Sequence, residues 1–82
     1  MTKREKLREK LLSAKHDKNF RFDDLCTLVR QLGFNERNSG GSHRIFYRKG
    51  LEEILTLQPS KGGKAKPYQV KQVREIVTGY SL

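Results

Sequence analysis

The apolar residues of this chain change period once, at Gly33. Before it, Phe22, Leu25, Leu28, Val29 and Leu32 recur at three- and four-residue steps. That spacing lays a stripe along one face of an α-helix. After it, residues 43–48 alternate Arg44, Phe46 and Arg48 against Ile45 and Tyr47, the two-residue period of a strand. Asp23 and Asp24 fall in the first turn of the helical stretch, where the helix dipole favours anions. Gly33 stands where a helix ends in a left-handed residue. A chain that carries both periods within 82 residues folds as one mixed domain.

The flanks extend this pattern. Thr2 with Glu5 three residues on forms a capping box. It predicts a first helix over about residues 3–15, with Leu7, Leu11 and Ala14 on one face. Such a helix is marginal alone, so it packs on the domain, rests on a partner or frays. A polar break follows at residues 16–21. Strands are predicted near 34–37, 43–48 and 54–58, with a turn at Lys49-Gly50 and a stop at Pro59. A last helix runs from Pro67 or Tyr68 to Thr78, its apolar face made of Val70, Val73, Ile76 and Val77 and its end set by Gly79. The order α, α, β, β, β, α predicts an α+β fold. Two helices cover one face of a three-stranded antiparallel sheet, and the other face stays open.

Composition sets the partners. Leu, Ile, Val and Phe make up 21 of 82 residues, above the roughly 20% at which charged chains tend to be disordered. The core is thin, because a chain near 80 residues buries only about 60–65% of its unfolded surface. Eighteen Lys and Arg against nine Asp and Glu give a net charge of +9. Anionic partners follow: nucleic acid first, then an acidic protein or a membrane surface. Residues 1–21 carry eight basic and three acidic side chains, and further bases cluster over 37–49 and 61–74. The apolar runs are too short for a membrane span, and no apolar region of secretory length follows the N-terminal bases. The lone Cys26 excludes an internal disulfide and fits a reducing cytosol. His16, His43 and Cys26 show no ligand spacing, so no metal or other cofactor is expected. Cys26 itself reads as a small buried hydrophobe.

Gly40-Gly41-Ser42-His43-Arg44-Ile45-Phe46 carries the candidate chemistry. Glycines open backbone conformations and remove side chains that would block a bulky substrate. His43 opens a strand, so a rigid element holds an imidazole that titrates near neutrality. Arg37, Arg44, Arg48 and Lys49 lie within a few positions. RNA cleavage needs this pairing: the ribose 2′-OH loses a proton, the 5′-oxygen gains one, and charge at phosphorus is offset. That chemistry requires no metal. The plainer reading stands beside it. A Gly-Gly-Ser loop before a strand is often only a hairpin loop, with a solvated histidine. Arg44, Phe46 and Arg48 form either a basic and aromatic binding face or an ordinary solvent-facing row. Lys61–Lys66 is either a mobile basic loop or a phosphate clamp. His16 is read as inert, and Tyr47 and Tyr68 as core rather than base-stacking groups.

Three segments together resemble the HicA toxins. Phe22-Asp23-Asp24-Leu25-Cys26-Thr27-Leu28-Val29-Arg30-Gln31-Leu32-Gly33-Phe34 is similar to their first helix and strand. Gly41-Ser42-His43-Arg44-Ile45-Phe46 is similar to their Gly-Ser-His signature and following strand. Leu57-Gln58-Pro59 and Lys66-Pro67-Tyr68-Gln69-Val70-Lys71-Gln72-Val73-Arg74 are similar to the third strand and last helix. The resemblance covers about residues 20–79. It implies a fold like a double-stranded-RNA-binding domain over residues 20–82, with residues 1–19 as a basic helical extension. It implies an mRNA interferase, a cytoplasmic endoribonuclease that blocks translation, with His43 catalytic. Gly41, Ser42, Arg37, Arg44, Arg48 and Lys49 would then meet substrate, and a HicB-type antitoxin would mask the site. The extension has no counterpart in that pattern; added RNA affinity or antitoxin contact is the expectation for it. The rival readings are a non-catalytic RNA-binding module of the same fold and an adaptor for an acidic protein.

Overall fold

The computed structural model describes residues 3–38 and 43–82. Its elements are α1 (Lys3–Ser13), a 3-10 turn (Asp17–Asn19), α2 (Phe22–Gln31), β1 (Asn35–Asn38), β2 (Arg44–Tyr47), β3 (Leu55–Leu57), a second 3-10 turn (Lys61–Gly63) and α3 (Pro67–Tyr80). The strands form one antiparallel sheet with β2 in the middle. Arg37 pairs with Ile45 and Ile45 with Thr56; Glu36 pairs with Phe46 and Phe46 with Leu55. The fold is α+β, as the two periods require.

Paired residues share a face, so the register divides the sheet. Phe46, Leu55 and Leu57 are fully buried with Leu25, Leu28 and Val29 of α2 and Val70, Val73 and Val77 of α3. Those two helices therefore cover one face. Arg37, Ile45, Tyr47 and Thr56 fall on the other, which stays open, with Tyr47 43% exposed. Tyr47 and Tyr68 are thus surface residues, not core. Their aromatic character suggested burial; register and helix phase put them outside.

The helix before the sheet ends as the sequence requires. Gly33 has φ of +93°. Its N–H donates to the Arg30 carbonyl, and the Phe34 N–H donates to that of Val29. These are the two bonds of a Schellman cap, and Val29 and Phe34 are buried together beneath it. A β-carbon at Gly33 would also stand 3.4 Å from Arg48 Nε. Gly33→Ala is expected to cost about 1–2 kcal/mol, read by urea unfolding; an unchanged midpoint would contradict the cap.

Residues 1–21 hold the largest difference from expectation. α1 stops at Ser13, and Ala14 is exposed with φ of +60°, so it leaves the apolar face. Thr2 lies outside the described residues. Leu7 and Leu11 nevertheless join the same core cluster as α2, α3 and the sheet. The polar break is not merely a linker. It folds into a 3-10 turn that delivers Phe20, fully buried, with Lys10 Nζ 5.0 Å above its ring. Arg74 of α3 clamps this segment, donating to both Asp17 carboxylate oxygens at 2.9 and 3.0 Å and to the Leu11 carbonyl at 3.2 Å. Arg8 donates to the main-chain oxygen of Leu82. α1 thus packs on the domain rather than fraying.

At the other end, Gly79 does not stop α3. The helix runs to Tyr80, and Ser81 takes the left-handed position while the Leu82 N–H bonds to the Val77 carbonyl. Tyr80 donates its hydroxyl to the Glu53 carboxylate, which holds that last turn. Cys26 is buried as expected. Burial pushes its thiol up to about 11, with Arg44 and Arg30 pulling weakly the other way. The raised value favours the folded state below pH 9, and that contribution is lost as pH rises toward 11. At pH 8, a thiol reagent is expected to label Cys26 only as fast as the chain unfolds; prompt labelling of folded protein would contradict its burial.

Candidate nucleic-acid interface

The central strand positions the candidate site. His43 is exposed and directly precedes β2. Two residues further on, Ile45 pairs with Arg37, whose side chain is exposed on the open face. Arg44 pairs with Leu57, so β3 hands over to Gln58 and Pro59 at the His43 end of the sheet. That end is fixed by Gln69 of α3, the one buried polar side chain among the described residues. Its Oε1 accepts from the Gln58 N–H, and its Nε2 donates to the Thr56 carbonyl, both at 3.1 Å. Gln69 was not singled out from the sequence. The signal was there: it lies four and seven residues before Val73 and Ile76, on the apolar stripe of α3. A polar residue on a buried stripe needs a partner.

The basic residues singled out by sequence do not form one patch. Arg44 and Arg48 do share a side with Phe46, but Phe46 is fully buried, so that is the side the helices cover, with the Arg44 side chain at its rim and 41% exposed. Phe46 therefore takes no part in an exposed binding face. Arg44 lies with its guanidinium 5.8 Å from the Phe22 ring and 3.6 Å from a Glu36 carboxylate oxygen. Glu36 also binds Arg30 at 2.6 Å, and Arg30 in turn covers the Phe46 ring. Arg48 donates to the Leu32 carbonyl at 2.9 Å. Arg48 and Lys49 sit past the far end of β2. Five extended residues at about 3.3 Å each put Arg48 roughly 17 Å from His43. Arg37 and Arg44 lie toward the His43 end. Gly41 and Ser42 lie outside the described residues. His16 is exposed.

A groove of about 430 Å³ is lined by Glu53, Gln72, Glu75, Ile76, Gly79 and Tyr80. It contains neither His43 nor any of the candidate basic residues, and its carboxylates repel phosphate. Among the described residues, no three His, Cys, Asp or Glu side chains gather as metal ligands, and no helix is long and apolar enough to cross a membrane.

The chain is a short, basic α+β domain with an exposed histidine beside the start of its central strand. Comparison with family models is specific: residues 22–77 match the HicA toxin of bacterial toxin–antitoxin systems. The chain belongs to the HicA toxin family and is a toxin of a toxin–antitoxin system, which implies an antitoxin as its partner. No curated protein and no solved structure matches it. The match leaves residues 1–21 outside, including α1 and the buried Phe20.

Proposed function

We propose that this toxin is an mRNA interferase, an endoribonuclease that cuts mRNA without a metal and so inhibits translation. The observation that carries the reading is His43, exposed at the start of the central strand in a chain of this family. His43 acts as general acid or base. The 2′-oxygen loses its proton and bonds to phosphorus; the bond from phosphorus to the 5′-oxygen breaks, and that oxygen takes up a proton. The products are a 2′,3′-cyclic phosphate and a free 5′-hydroxyl.

The remaining residues divide by position. Arg37, on the open face beside His43, attracts and offsets phosphate charge. Arg44 adds positive potential at the same end while its head group braces β2 against Phe22 and Glu36. Arg48 and Lys49 extend the attraction along the strand. Gly41 and Ser42 shape the approach, with the Ser42 hydroxyl or a nearby N–H on phosphate. A HicB-type antitoxin neutralises the toxin by covering this end of the sheet. The test is incubation of purified protein with mRNA in EDTA. Cleavage is expected to persist and to leave cyclic-phosphate ends. RNA bound but left intact would instead favour the non-catalytic binding module.

A further inference from the structure

The segment that precedes the family-matched region pairs with the loop that leaves the His43 end of the sheet. Arg21 and Lys64 are partners in an isolated antiparallel bridge, as are Pro59 and Ala65. The Ala65 N–H donates to the Phe20 carbonyl at 2.7 Å. Lys64 Nζ reaches Asn19 Oδ1, and Ser60 binds the Lys64 carbonyl through both its N–H and its hydroxyl. These ties join the segment that carries Lys18 and Arg21 to the loop that carries Lys61 and Lys64, and all four side chains are exposed. None takes part in the three ion pairs among the described residues. Asp17, which precedes Lys18 in sequence, is occupied by Arg74. Asp23 and Asp24 follow Arg21 in the first turn of α2 and leave the four cations in excess.

We propose that Lys18, Arg21, Lys61 and Lys64 form a second phosphate-binding surface that carries the RNA backbone onward from the His43 end of the sheet. The inference rests on the RNA-cleaving reading above. Holding like charges together by backbone bonds is unfavourable without a counter-charge, and it prepares a site for a polyanion. Between Lys61 and Lys64 stand Gly62 and Gly63, with φ of +75° and +73°. A β-carbon on either would meet nothing within 4 Å, so a phosphate chain can approach the main chain there. Its four members are all cationic, where a protein interface takes an aromatic and apolar centre. None of the exposed large apolar residues Tyr47, Ile54, Tyr68 and Tyr80 is one of its members. Those features favour nucleic acid over an acidic protein. Two of its members, Lys18 and Arg21, lie outside the family match.

The test measures binding of a fluorescent 2′-O-methyl oligoribonucleotide, which lacks the attacking hydroxyl, across a range of salt. Each single-strand phosphate neutralised contributes about −0.7 to the slope of log affinity against log salt. Arg21→Gln with Lys64→Gln is expected to make the slope shallower by about 1 to 1.4 and to weaken binding at least about fivefold at low salt. Lys3→Gln with Lys6→Gln removes the same net charge and is expected to change the slope less than half as much. Lys18→Gln with Lys61→Gln repeats the measurement should the first pair disturb the bridge. Equal slopes for wild type and both cluster variants, or equal loss in the α1 control, would overturn the inference. Wild type without salt-dependent RNA affinity would overturn the RNA-cleaving reading instead.

Discussion

Replacing His43 by alanine is expected to lower the rate of RNA cleavage by about 10²–10⁴-fold, the usual contribution of a positioned acid or base. RNA affinity is expected to stay within about threefold, because the phosphates are held by the permanently charged arginines and lysines. The two readouts together identify the role. A rate loss with binding kept marks a proton carrier. A His43→Ala protein that cuts normally would remove the assignment. Equal loss of affinity and rate would make the residue an anchor for substrate instead. His43 is exposed, and a thermal melt of the variant checks that its fold is kept.

Leu11→Ala carries the largest expected effect on stability, about 2–5 kcal/mol. Leu11 is fully buried and lies in the same cluster as α2, α3 and the sheet, while its carbonyl accepts from Arg74. Truncation leaves a cavity that three anchored elements cannot close. A domain of this size is stable by only about 4–12 kcal/mol, and each kcal/mol shifts its Tm by about 4–8 °C. The melting temperature, followed by circular dichroism, is expected to fall by at least about 10 °C. A fall below about 4 °C would mean that α1 merely rests on the domain. The result also bears on residues 1–19 as an RNA-binding or antitoxin-binding extension. Removing this whole segment takes core residues Leu7 and Leu11 away together with its charge.

Much of the fold was legible because local periodicity and turn chemistry agree with the final packing. The stripe from Phe22 to Leu32, the glycine after it and the alternation around Phe46 reappear as α2, its cap and β2. The 16–21 break was less legible. Its polar residues hide one phenylalanine, and only Arg74, 57 residues away from Asp17, shows why the segment is ordered. The site was half legible. Residue types named His43 and the arginines, but strand phase alone does not say which side of a sheet the helices cover.

The chain's own pattern therefore decided the helices, the strands, the excess of positive charge and the family, because each is written in neighbouring residues. Tertiary structure alone decided that Arg44 and Arg48 lie on the helix-covered side of the sheet, that Gln69 fixes the end of β3, and that Arg21 meets Lys64. Those outcomes depend on contacts between residues far apart in sequence, where burial and hydrogen-bond satisfaction, rather than local propensity, select the arrangement.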